Sequence, residues 1–218
     1  MPRVKIDGVR RLEDALIAAS AGADFIGVVF VPNRRRRVSV EQGRRIVEAV
    51  KTAAENPPRV LGLFADQPLE EVEASVRGSG VDMVQFSGSE SIAYCDQAPL
   101  PVFKTIHVSE HAGFPELEEL RRRITALRDR GHMAVLDRAV AGLRGGTGQT
   151  FDWGVATRLA EEGLHFMLAG GLTPENVGDA VMQVNPWGVD VSSGVESQGA
   201  KDPGKVRRFI VEAKRDRP

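Results

Sequence analysis

Short apolar runs alternate with longer segments in which apolar residues recur every three or four positions, and the alternation repeats eight times along the chain. The first run, Val4–Asp7, precedes Arg11–Ala21, where Leu12, Ala15, Leu16 and Ala19 share one helical face and Gly22 ends the helix. Asp24–Phe30 is apolar without alternation, as a parallel-sheet strand covered on both faces should be. Ser39 and Gln42 have capping-box spacing and open a helix reaching about Ala54.

The later pairs follow the same rhythm. Strand Arg59–Phe64 leads to a helix from Pro68, at its first turn, to Val76. Val81–Phe86 is followed by a weaker helix over Glu90–Gln97, and Val102–Val108 by a charged helix over Pro115–Arg130. His132–Leu136 passes through a glycine-rich loop to the helix Phe151–Glu162. Leu164–Leu168 leads to a helix opening at Thr173, and Val189–Ser192 to Pro203–Ala213. Eight pairs of about 27 residues predict an α/β chain folded as one (β/α)8 barrel, a TIM barrel, over residues 1–218. An open doubly wound sheet obeys the same alternation and is the alternative. The hydrophilic tract Ser109–Arg130 reads as a long loop plus an exposed helix rather than a domain boundary.

Charge narrows the partners. With 29 Lys and Arg against 30 Asp and Glu, a net charge of -1 provides no basic field for nucleic acid or an anionic membrane. A small anionic ligand held by a local cluster is the class that remains. The lone Cys95 forms no internal disulfide and reads as a small buried hydrophobe. The first twenty residues lack an uninterrupted apolar stretch, and the longest such run, Phe25–Val31, is too short to span a membrane, so the expected location is the cytoplasm. The outer helices carry no long apolar stripe demanding a partner, which leaves a monomer or a homodimer.

In a barrel the chemistry belongs at the C-terminal ends of the strands. There fall Asp7, Arg34–Arg37, Asp66, Asp137, the loop glycines Gly145, Gly146 and Gly148, then Gly170–Gly171 and Ser193–Gly194. Glycines after the last two strands let backbone N–H groups approach a phosphate. No nucleotide P-loop accompanies them, since GGTGQT lacks the terminal Lys-Ser/Thr. Asp7 and Asp137, from opposite sides of the mouth, supply the two carboxylates that general acid and general base catalysis of one small substrate requires. One or two of Arg34–Arg37 suit a bidentate grip on a substrate carboxylate, the rest being solvated. His107 and His111 are four apart but lack the glutamate and helix of a zinc hydrolase, so no metal site is expected. His132 and His165 each begin a strand and read as structural.

Together the segments VKIDG, GADFIGVVF, RRRRVS, VDMVQFSG, GGTGQTFDW, LAGGLTPENV and VDVSSGVESQGAKD resemble the phosphoribosylanthranilate isomerases, a family of the tryptophan pathway. The resemblance implies a TIM barrel that performs an Amadori rearrangement of N-(5'-phosphoribosyl)anthranilate without metal or organic cofactor. A general acid protonates the furanose ring oxygen, the ring opens to a Schiff base, and a general base removes the C2' proton. The acid's position matches Asp137 and the arginine facing the anthranilate carboxylate matches Arg36. The phosphate-contacting backbone matches Gly170, Gly171, Ser193 and Gly194, with Gly145, Gly146 and Gly148 in a loop that closes over the substrate.

Three departures stand out. The family's first strand reads K-I-C-G with the cysteine as base, and here that position is Asp7; a Q-L-H-G has become Gln85-Phe86-Ser87-Gly88; the S-P before the arginine has become Arg34-Arg35. A carboxylate is a weaker base than a thiolate but is ionised at neutral pH without help. Two aspartates also resemble the histidine-pathway sibling, which rearranges a related ribotide and needs a second phosphate site; Gln85–Gly88 is a weak match for one. A broadened substrate range and a non-catalytic sugar-phosphate binder are therefore the alternatives.

Overall fold

In a computed structural model that describes residues 1–109, 114–138 and 153–215, with 114 and 115 described by their backbone alone, eight parallel strands close into a barrel. The elements are β1 Arg3–Ile6, α1 Leu12–Ser20, β2 Phe25–Val29, α2 Val40–Thr52, β3 Arg59–Phe64, α3 Leu69–Ser79, β4 Met83–Phe86 and α4 Ile92–Cys95. They continue with β5 Val102–Val108, α5 Phe114–Asp129, β6 Met133–Arg138, α6 Trp153–Glu161, β7 Phe166–Leu168, α7 Val177–Val184, β8 Gly188–Val191 and α8 Pro203–Lys214. Between β8 and α8 lie a 3-10 turn, Ser193–Val195, and a small hairpin of β9 Glu196–Ser197 and β10 Ala200–Lys201. Strand order follows chain order, and β1 pairs β8 from Arg3↔Gly188 to Ile6↔Val191. That pairing decides between the two topologies: a doubly wound sheet has free edges, and this sheet has none.

Alternation along each strand divides the apolar residues into two cores. Val4, Ile6, Ile26, Val28, Val60, Phe64, Val84, Phe86, Ile106, Leu136, Phe166, Leu168 and Val189 point outward and are covered by the helices. Phe25, Val29, Leu61, Leu63, Met83, Phe103, Val135 and Met167 fill the barrel, and Trp187 packs against Phe25 and Phe103 at ring distances of 5.9 and 6.2 Å. The N-terminal half of the interior is thus plugged by apolar side chains. Its C-terminal half carries the polar ones.

Helix ends show where local signals held and where they yielded. The capping box opens α2: Ser39 Oγ accepts from the Gln42 N–H at 3.1 Å, and Gln42 Oε1 from the Ser39 N–H at 2.9 Å. Pro68 is the N-cap of α3 rather than its first helical residue, and α4 is a single turn, Ile92–Cys95, instead of Glu90–Gln97. The shortening has a cause: the Glu90 carboxylate accepts from the Asp66 and Gly88 N–H groups and from Lys104 Nζ, so Glu90 anchors the preceding loop. At Thr173 the chain makes a turn in which Asn176 Oδ1 accepts from the Thr173 N–H, and α7 starts only at Val177. The charged tract after β5 proves amphipathic, since α5 buries Leu117, Leu120, Ile124 and Leu127. Among the described residues no helix is long and apolar enough to cross a membrane.

Candidate active site

At the C-terminal end of the barrel the described residues surround a cavity of about 380 Å³. Asp7 reaches it because β1 alternates: Val4 and Ile6 face the helices, while Lys5 and, just beyond the strand, Asp7 face inward. Lys5 is fully buried, with Nζ 3.0 Å from Asp7 Oδ1 and 2.9 Å from Asp190 Oδ2. Burial works against the Lys5 ammonium, but Asp190 and Asp7 outweigh it and hold the group above its ordinary value. Asp190 on β8 is buried too, and desolvation, opposed by Lys5 and assisted by Asp7, pushes it up to about 7. Its Oδ1 has no hydrogen-bond partner among the described residues, although Oδ2 is paired.

Asp137 enters from the opposite wall. β6 runs two residues further than the pattern predicts, so Asp137 lies inside the strand, opposite His107 on β5. Removal from water pushes its carboxyl above the usual carboxylate range; His107, the Arg138 N–H and Lys5 act against that, and Asp7 adds to it. A group that keeps its proton to higher pH suits an acid.

The third wall is backbone. Gly170 and Gly171 follow β7 with φ of 89° and 67°, in the left-handed region that glycine tolerates. A Cβ on Gly170 would lie 2.9 Å from the Arg138 nitrogen and 3.0 Å from Asp137 Oδ1, and one on Gly194 would lie 1.9 Å from the Leu172 carbonyl oxygen. Only glycine lets the two loops close on each other. Gly170, Gly171, Ser193 and Gly194 all line the cavity, and the first three have N–H groups without an acceptor among the described residues.

Arg36 also lines the cavity, yet it is not free. Its Nε and one terminal nitrogen donate to the Glu196 carboxylate at 2.6 and 3.0 Å, and Arg35 and Lys201 bind the same carboxylate at 2.7 and 3.2 Å. Burial would raise Glu196, but Arg36, Lys201 and Arg35 hold it down at about 2. The remaining terminal nitrogen, Nη1, makes no hydrogen bond among the described residues and stays available to an anion.

Opposite the glycines, Ser87 Oγ and Thr105 Oγ1 lie 3.1 Å apart, and Gln85 Nε2 donates to both at 3.3 Å while its buried Oε1 has no partner among the described residues. Lys5, Asp190, Glu196 and Thr105 escaped the reading by strand ends, and Gln85 entered it only as part of a weak match for a second phosphate site. Period-two alternation carries the signal for the strand residues, because Lys5 and Asp7, or Gln85 and Ser87, must share a face. Gly145, Gly146 and Gly148 lie outside the described residues, as does His111. Asp66 does not join the site: its Oδ1 accepts from the Ser89 N–H at 2.5 Å and ties two loops. His132 pairs with Asp96 at 3.0 Å, outside the barrel, and burial pushes the Cys95 thiol up to about 11, which leaves it inert. No group of three or more His, Cys, Asp and Glu that would hold a metal occurs among the described residues.

Comparison with known proteins converges on one family. Residues 4–212 match the family described as N-(5'phosphoribosyl)anthranilate (PRA) isomerase. A protein of Roseiflexus castenholzii named N-(5'-phosphoribosyl)anthranilate isomerase is 44% identical over 216 residues, 97% of each chain, and one of Saccharomyces cerevisiae with that name is 38% identical over 98% of this chain and 95% of its own. The phosphoribosyl anthranilate isomerase of Thermotoga maritima superimposes with a TM-score of 0.84 at 32% identity, covering 98% of this chain and 99% of its own. A phosphoribosyl anthranilate isomerase solved in complex with reduced 1-(o-carboxyphenylamino)-1-deoxyribulose 5-phosphate matches with a TM-score of 0.80 at 31% identity, over the same shares. This chain belongs to the N-(5'-phosphoribosyl)anthranilate isomerase family.

Proposed function

We propose that the chain isomerises N-(5'-phosphoribosyl)anthranilate to the 1-deoxyribulose 5-phosphate product, with Asp137 as general acid and Asp7 as general base. The observation that carries this reading is the convergence of Asp7, Asp137 and the Gly170–Gly171 and Ser193–Gly194 backbone on one cavity. Asp137 gives its proton to the furanose ring oxygen, the C1'–O bond breaks with its electron pair going to that oxygen, and the lone pair of the anthranilate nitrogen makes the C1'=N bond of the Schiff base. Asp7 then takes the C2' proton, and the electrons of that C–H bond neutralise the iminium as an enolamine. Ketonisation yields the product with no net change in hydrogen, so two carboxylates suffice and the scheme calls for no metal or organic cofactor.

Around these two groups the other roles follow. The glycine-lined wall takes the 5'-phosphate, where unpaired N–H groups meet an anion at low desolvation cost. Nη1 of Arg36 faces the anthranilate carboxylate while Glu196 holds the rest of its fork. Asp190 Oδ1 is an acceptor suited to the anthranilate N–H. Gly145, Gly146 and Gly148 keep the closing role that the family resemblance implies. The reaction is assigned to a monomer, or to a homodimer with one site per chain, in the cytoplasm.

The test is the fall in anthranilate-adduct fluorescence when purified protein meets freshly generated N-(5'-phosphoribosyl)anthranilate, with the histidine-pathway ribotide run in parallel. Turnover of the first substrate supports the assignment. Tight binding of it without product would make the chain a sugar-phosphate binder.

A further inference from the structure

The cavity holds three inward-facing carboxylates, Asp7, Asp137 and Asp190, and only one of their strands also brings an ammonium. Like charges this close cannot all ionise at ordinary pH, so the placement of that single cation decides which group carries the proton. Lys5 Nζ is hydrogen-bonded to Asp7 and Asp190 and to no other described residue. On the far side of Asp7, Gly27 leaves the space that Oδ1 occupies, and Leu63 closes the wall from β3. Of the other charged groups around the mouth, Arg35, Arg36 and Lys201 bind Glu196, Lys201 also feeling the Asp7 charge, His107 lies beside Asp137 on the paired strand, and Arg34 lines the cavity from an exposed position.

We propose that Lys5 is a positioning residue for the reaction: anchored by Asp190, its ammonium binds the Asp7 carboxylate, aims it into the cavity and leaves the proton to Asp137. The inference rests on Asp7 acting as the base. It gives a buried lysine a role that neither proton transfer assigns to it. It also accounts for a carboxylate working where the resemblance expects a thiol: the counter-charge sits one inward position below it on the same strand. Desolvation of Asp190 and Asp137 in the same mouth works in the same direction, since both resist ionisation.

Lys5→Met removes the charge and keeps most of the length, but it strands Asp190. The decisive comparison is therefore Lys5→Met/Asp190→Asn against Asp190→Asn alone, in the full-length chain. Relative to that reference, kcat should fall about tenfold or more while KM changes little. A lysine that merely balances a buried charge would leave kcat in place. If the double variant melts cooperatively and keeps the kcat of the reference, the proposal fails. Asp7→Asn is run beside it: if that variant turns over normally, the base assignment falls and the role of Lys5 with it, whereas an inactive Asp7→Asn with kcat unchanged in the double variant overturns the Lys5 role alone.

Discussion

Gly27 on β2 has no side chain, and Asp7 fills the space one would take: a Cβ there would lie 1.8 Å from Asp7 Oδ1 and 3.0 Å from Leu63 Cδ1. A substitution at Gly27 therefore acts on the base without touching substrate. Gly27→Ala should displace the Asp7 carboxylate, lower kcat at least about tenfold, and cost about 1–3 kcal/mol of stability, read as a drop in Tm of a few degrees. Asp7→Asn keeps shape and removes the proton acceptor. It should lower kcat by about a hundredfold or more, with KM and Tm near those of the parent, in a fluorescence assay paired with thermal melting. Asp137 is governed by desolvation, so its catalytic form persists above the ordinary carboxylate range, and the alkaline loss of activity should come later than a solvent-exposed acid would give. In Asp137→Asn that limb disappears together with the turnover. At this scale Asp7, Asp137 and Arg36 were legible as charged residues at strand ends. Lys5 was not, because a lysine between Val4 and Ile6 betrays its partner only when the strand carrying Asp190, 185 positions away, is laid beside it.

Among the elements, the loop after β7 and the turn after β8 depend on one contact. Gly194 passes so close to Leu172 that a methyl group would sit 1.9 Å from the carbonyl oxygen, so Gly194→Ala must push the two loops apart. Their separation should raise the KM for substrate and weaken inhibition by inorganic phosphate several-fold, while a probe without a phosphate would bind as before. The helices answer to local rules instead. Ser39→Ala removes the side-chain half of the capping box on α2 and should destabilise by about 1 kcal/mol without changing kcat, which denaturant titration would show. The pattern located α1, α2, α5 and α8 within a few residues because their buried faces repeat at helical spacing. It overextended α4, whose predicted first residue, Glu90, is consumed by Lys104 and two backbone N–H groups. A partner chosen by tertiary contact overrode the local propensity there.

For the whole molecule, the loops after β2 and β8 meet where the substrate is expected. Glu196, after β8, gathers Arg35 and Arg36 from the loop after β2, together with Lys201. With its carboxyl held down at about 2 in the fold, Glu196 contributes stability above its ordinary range, and that contribution drains away as pH falls from about 4.5 to about 2. Glu196→Gln should therefore flatten the acid arm of a stability-versus-pH curve over that interval and loosen Arg36. An unchanged acid arm would assign the acid sensitivity to other carboxylates. The amino-acid sequence by itself determined the eight-fold repeat of strand and helix and the strand ends at which Asp7, Asp137 and the glycine pairs fall, because these depend on periodicity along each segment. Closure of β1 on β8 decided the rest. It made Lys5 and Asp190 neighbours and joined Arg36 to Glu196, while the pairing of β1 with β2 pressed Gly27 against Asp7, so that charge and close packing are shared between residues whose spacing along the chain carries no trace of the contact.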